Sequence, residues 1–175
     1  MKLAINNKGV TMMLLVVTVI VLLMITSFAI YYSNNIAPEA RLARAYNSLS
    51  EIRKACLQAQ SSIELKPELY DEYYFFGKSI YQDGSNVADI EARCNLGGEH
   101  FSERTYLLTS DNDDEIKRRI QRLEISTVDG YYVADLGNRK YYIIDGVKRK
   151  GQDDRVYEFN EIQQLYKVLF TSFKD

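Results

Sequence analysis

The sequence predicts an α+β protein: a long N-terminal helix, transmembrane in its first half and amphipathic in its second, packed against a small antiparallel sheet with short helices. Three observations carry this. Residues 10–32 contain no charged side chain. After them, apolar residues recur at steps of three and four as far as Ile63. Beyond residue 64, turn residues punctuate short stretches that read alternately as strand and helix. The chain of 175 residues therefore divides into a basic leader at 1–9, an apolar helix at 10–32, its amphipathic continuation at 33–63 and a globular α+β domain at 64–175.

Charge is distributed unevenly. Lys2 and Lys8 are the only charged side chains before Glu39, which leaves 20 basic against 24 acidic residues in the rest. With no basic surplus to neutralise phosphates, no direct nucleic-acid partner is expected.

The apolar run from Val10 to Tyr32 would span about 34 Å as a helix, enough to cross the hydrocarbon core of a bilayer. None of its faces is polar. Thr11, Thr18 and Thr26 can bond back to their own helix. A secretory signal peptide has a shorter apolar core, although Ser27-Phe28-Ala29 has the small-x-small form of a cleavage site. Lys2 and Lys8 favour a cytoplasmic N-terminus, opposed by Arg41 and Arg44 beyond the far end.

A basic leader ending in Lys8-Gly9, followed at once by an uncharged helix that runs on into an amphipathic one, resembles a type IV prepilin or pseudopilin. The likeness covers about residues 1–60. It implies cleavage by a prepilin peptidase between Gly9 and Val10, and N-methylation of Val10. Glycine before the cut suits that chemistry, since a residue without a side chain lets the scissile backbone approach the catalytic groups. The chain departs from the family pattern at Leu14, where a glutamate is usual. In the family that carboxylate is thought to pair with the N-terminal amine of a neighbouring subunit, as a charge in lipid needs a partner. Subunits without it are minor ones, notably one at the filament tip.

The resemblance thus implies a minor, tip or shaft subunit of a type IV pilus or pseudopilus, not an enzyme. Its implied partners are other pilin-like subunits through Val10–Tyr32, the peptidase, a membrane platform protein, a motor ATPase and the lipid bilayer. The implied location is the cytoplasmic membrane, with the N-terminus inside, and then a cell-surface or extracellular filament. The alternatives are an uncleaved single-pass membrane protein with an extracellular binding or sensory domain, and a secreted domain released by signal peptidase.

In the amphipathic half, Leu42, Ala45, Tyr46, Leu49, Ile52, Cys56, Ala59 and Ile63 form one helical face. Pro38 lacks a backbone donor and follows Ser33, Asn34 and Asn35, which predicts a kink or melted turn near residues 33–38. Lys66-Pro67 ends the helix. The aromatic run at residues 73–76 reads as a strand or packed loop, and residues 86–93 as a short helix. Strands are expected at 105–109, about 125–128, 131–136, 140–145 and 155–159. A helix capped by Asn112 and Glu115 precedes them in part, and a last helix is capped by Asn160. Gly137-Asn138 and Asp145-Gly146 read as turns, and residues 130–146 read as a hairpin that sets Tyr132 and Ala134 on one face, Tyr131, Val133 and Asp135 on the other.

Little in the domain asks for chemistry. His100 is the single histidine, with no nucleophile elbow and no zinc spacing around it. Asp111, Asp113 and Asp114 are the one oxygen-rich cluster and a weak calcium candidate; helix capping and the helix dipole account for acidic residues there. No cofactor is expected. Two cysteines, Cys56 and Cys94, are compatible with one disulfide in an exported domain, closing a loop worth roughly 3–4 kcal/mol, or with two buried thiols. Outside the cell, the bridge is the expectation.

Overall fold

The computed structural model describes residues 7–33, 37–109, 114–126, 130–149 and 154–171. In chain order the elements are α1 (Asn7–Tyr31), α2 (Ala37–Leu65), α3 (Glu72–Phe76), α4 (Val87–Arg93), β1 (Thr105–Thr109), α5 (Asp114–Arg122), β2 (Tyr131–Asp135), β3 (Lys140–Lys148), β4 (Arg155–Glu158) and α6 (Phe159–Thr171). The protein is α+β, with one four-stranded antiparallel sheet in the order β1-β2-β3-β4.

The sheet is buried on both faces, and the period of two along each strand sorts its side chains between two cores. On one face, Tyr106, Leu108, Tyr132, Ala134, Tyr141 and Val156 meet the apolar stripe of α2, together with Phe159 and Ile162 of α6. The stripe buries Leu42, Ala45, Leu49, Ile52, Cys56 and Ala59, with Tyr46 and Ile63 partly buried, as the helical spacing predicts. The Tyr46 ring stacks on Tyr166 of α6 at 4.2 Å, so α6 lies beside the first turns of α2. On the other face, Val133, Tyr142 and Ile144 meet Ile80, Ile90, Cys94 and Phe101.

Several local expectations are corrected. Residues 73–76 belong to a helix, not a strand. Asp71 caps it by accepting from Tyr74 N–H at 2.6 Å, and Gly77 ends it at φ +65. The helical turn buries the adjacent Phe75 and Phe76 together, which strand alternation would separate. Ile125 and Ser126 are not strand; Ile125 is tied back to Ile120 O at the end of α5, and residues 127–129 lie outside the described part. Asp145-Gly146 does not end a strand. It lies within β3 at an irregularity, where the chain advances from Tyr142 to Val147 while β4 moves only from Glu158 to Val156. Both residues have positive φ, which bends β3 without breaking it. The last helix begins at Phe159, one residue before the expected cap.

The expected Cys56–Cys94 disulfide is absent: both are buried free thiols. Cys56 belongs to the core between α2 and the sheet, Cys94 to the core on the opposite face. A bridge would have to pass through the sheet.

Candidate membrane and assembly segment

The segment that distinguishes this chain is α1. From Met12 to Tyr31 it is long and apolar enough to cross a membrane, and none of it is buried. At 1.5 Å per residue these 20 residues cover about 30 Å, the thickness of a hydrocarbon core. Large apolar side chains are exposed on every side of the helix, from Ile20 at 46% to Met13 at 72%. It is not a core helix, and no face distinguishes solvent from protein.

The polar side chains in this span are satisfied within the helix. The hydroxyls of Thr18, Thr26 and Ser27 donate to the carbonyls of Leu15, Leu22 and Leu23 at 2.7–2.8 Å. Each removes a donor that hydrocarbon would penalise. Tyr31 and Tyr32 close the span with exposed rings. Aromatic side chains of this kind favour the boundary between hydrocarbon and headgroups. Their position at the end of an uncharged run is a boundary marker already present in the sequence.

Gly9 and Val10 lie in the helical backbone of α1. Leu14 stands exposed four residues beyond Val10, and α1 carries no carboxylate. The backbone widens into a π-type turn at residues 32–33, and residues 34–36 lie outside the described part. Pro38 occupies the second position of α2, within the first turn, where a missing backbone donor breaks no helical hydrogen bond.

The remaining candidates are dispersed. Asp111 and Asp113 lie outside the described residues, while Asp114 begins α5. Among the described residues no cluster of three or more His, Cys, Asp or Glu could hold a metal ion. His100 is exposed, with Nδ1 3.1 Å from Glu91. Burial pushes the Cys56 and Cys94 thiols up to about 12, against the reactive thiolate form; Arg93 opposes the shift at Cys94 and Asp145 adds to it.

The buried polar groups missed by sequence reasoning are architectural. Arg119 is 2% exposed; its Nη1 donates to Leu107 O at 2.8 Å and its Nη2 to Lys78 O at 3.0 Å, joining α5 to β1 and to the loop after α3. Its position between Arg118 and Ile120 gave no sign of burial. Comparison with family models, with curated proteins and with solved structures gives no match for this chain.

Proposed function

We propose that the chain is a minor subunit of a type IV pilin-like filament, inserted in the cytoplasmic membrane, cut between Gly9 and Val10, and assembled through its apolar helix. The observation that carries this reading is the uniform exposure of α1 on a protein that buries the stripe of α2 and both faces of its sheet in two cores. An apolar surface of that extent requires cover, from lipid first and then from the same helix of neighbouring subunits. The Lys8-Gly9 leader junction at the head of the span supplies the processing signal. A long amphipathic helix half-embedded in an antiparallel sheet is the kind of spine that such a subunit needs.

Leu14 favours a minor position over a repeating shaft position, since leucine offers nothing to a neighbour's N-terminal amine. Assembly rather than catalysis is the mechanism. Subunits gain contacts in a shared helical bundle, and a separate motor ATPase does the work of extraction.

Mass spectrometry of the N-terminus of the protein from its native envelope tests this. Methylated Val10 is the expected result. Retention of residues 1–9 would overturn it in favour of an uncleaved tethered domain, and a start near Ile30 would identify a signal peptide instead.

A further inference from the structure

At the foot of α2 a hollow of about 250 Å3 opens between the first turns of α2, the second half of α6 and the end of β3. Pro38, Leu42, Leu165, Val168 and Leu169 form its apolar wall, with Val168 67% exposed. Lys148 and Arg149 stand at its rim, with Glu39 beside them. Arg149 Nε also lies 3.3 Å from Asp154. Arg41 and Arg44 are exposed on the adjoining turns of α2. Among the described residues that line or adjoin the recess, the cations Lys148, Arg149, Arg41 and Arg44 outnumber the carboxylates Glu39 and Asp154.

The covalent chain fixes where this end lies. From Tyr31, the last residue of α1, to Ala37, the first of α2, the backbone reaches at most about 22 Å however it runs. If α1 spans the bilayer with Tyr31 at its boundary, the tether keeps the start of α2, and the hollow at Pro38 with it, within about 22 Å of that boundary. The opposite end of α2 is about 43 Å further along that helix. An apolar recess with a cationic rim within that reach of the bilayer matches an amphiphile with an apolar tail and a negative head. The volume lies just below the range of small-molecule sites, so the recess takes part of a chain, not a whole lipid.

We propose that this hollow takes part of an acyl chain of an anionic phospholipid from the bilayer that α1 crosses, with Lys148 and Arg149 at the lipid phosphate. The proposal rests on the membrane-spanning reading of α1, and not on cleavage or filament assembly.

The chain has no tryptophan, so V168W introduces a single fluorophore at the exposed edge of the recess. The full-length V168W protein is reconstituted in nanodiscs carrying acyl-brominated phosphatidylglycerol or acyl-brominated phosphatidylcholine. Y73W, on an exposed ring near the far end of α2, is the positional control. Expected is loss of most of the V168W emission with the brominated anionic lipid, a much smaller loss with the zwitterionic one, and none for Y73W. Lys148→Glu in the V168W background should abolish the difference between headgroups. Equal quenching by both lipids, equal quenching of V168W and Y73W, or no quenching while the protein still co-elutes with the disc would each overturn the lipid site. Failure to co-elute would overturn the membrane reading of α1 itself, and the lipid site with it.

Discussion

Ser102 donates twice to Asp135, through Oγ at 2.5 Å and through its backbone N–H at 3.3 Å, joining the loop before β1 to the end of β2. Asp135 is 1% exposed, and Asn138 donates to the same carboxylate through its N–H at 3.1 Å and its side-chain amide at 2.8 Å. Four donors thus converge on one buried carboxylate, which fixes the β2–β3 turn and the start of β1 together. Hydrogen bonds to a charged group are worth more than neutral ones, and donors left buried without an acceptor are costly. Asp135→Ala is expected to destabilise the fold by about 3 kcal/mol, and Asp135→Asn by about 2 kcal/mol, because the amide keeps one acceptor. Urea denaturation of the full chain in detergent, read from the midpoint at unchanged slope, checks both values.

Gly146 holds the irregularity of β3 at φ +61, and a Cβ there would stand 2.7 Å from the Tyr157 ring and 2.9 Å from Val156 O. The ring has some freedom to move; the carbonyl belongs to the neighbouring strand and has little. Gly146→Ala therefore combines left-handed backbone strain with a steric clash, and should cost about 2–3 kcal/mol. Tyr157→Ala in the same chain should recover only part of the loss, because the backbone contact remains. Denaturation midpoints of the single and double variants give the comparison.

The two thiols predict a pH dependence whose sign follows from burial. Cys56 and Cys94 are held protonated up to about 12, while an unfolded cysteine ionises near 8.5. Since the folded value is the higher, their contribution is complete below the unfolded value and is lost as pH rises through the interval to the folded one. Stability should fall above pH ~8.5 by about 1.4 kcal/mol per pH unit per thiol. Replacing Cys56 by Ala should remove one share of that slope. In the native protein at pH 8, mass tagging with a thiol reagent should label neither cysteine, and denaturant should expose both. Rapid native labelling of Cys56 would contradict its place between α2 and the sheet.

Elements with strong periodicity were legible in the sequence, and those decided by single polar contacts were not. The stripe from Leu42 to Ala59 and the alternation around Tyr132 and Val133 each have several residues voting for one face. Residues 73–76 offered only aromatic composition, which suits strands as well as packed helices; Asp71 and Gly77, at their two ends, settle the matter through a cap and a positive φ. Asp145-Gly146 has the chemistry of a hairpin turn, yet β3 continues through it to pair Val147 with Val156. Pairing across the sheet overrode the local signal. Even cysteine count said nothing about which side of the sheet each thiol would face. Burial of Arg119 was likewise invisible, because its partners are backbone carbonyls from β1 and the loop after α3.

The apolar span yields the last prediction, and it separates membrane residence from folding. Leu22 lies near the middle of Met12–Tyr31 and is 62% exposed, so no packing in the folded domain depends on it. An arginine at the centre of a spanning helix costs about 2.5–3.5 kcal/mol of insertion free energy, which changes the inserted-to-excluded ratio by roughly a hundredfold. Leu22→Arg should therefore shift the protein from the membrane fraction to the soluble or aggregated fraction. The domain should stay folded, with Cys56 and Cys94 as resistant to thiol tagging as in the parent. Leu14→Glu, only two residues inside the span's first residue, should impair insertion less, because a carboxylate there reaches the interface. Carbonate extraction of both variants gives the comparison. Equal loss for the two would place the helix at a different depth, and loss for neither would mean that α1 does not span the bilayer.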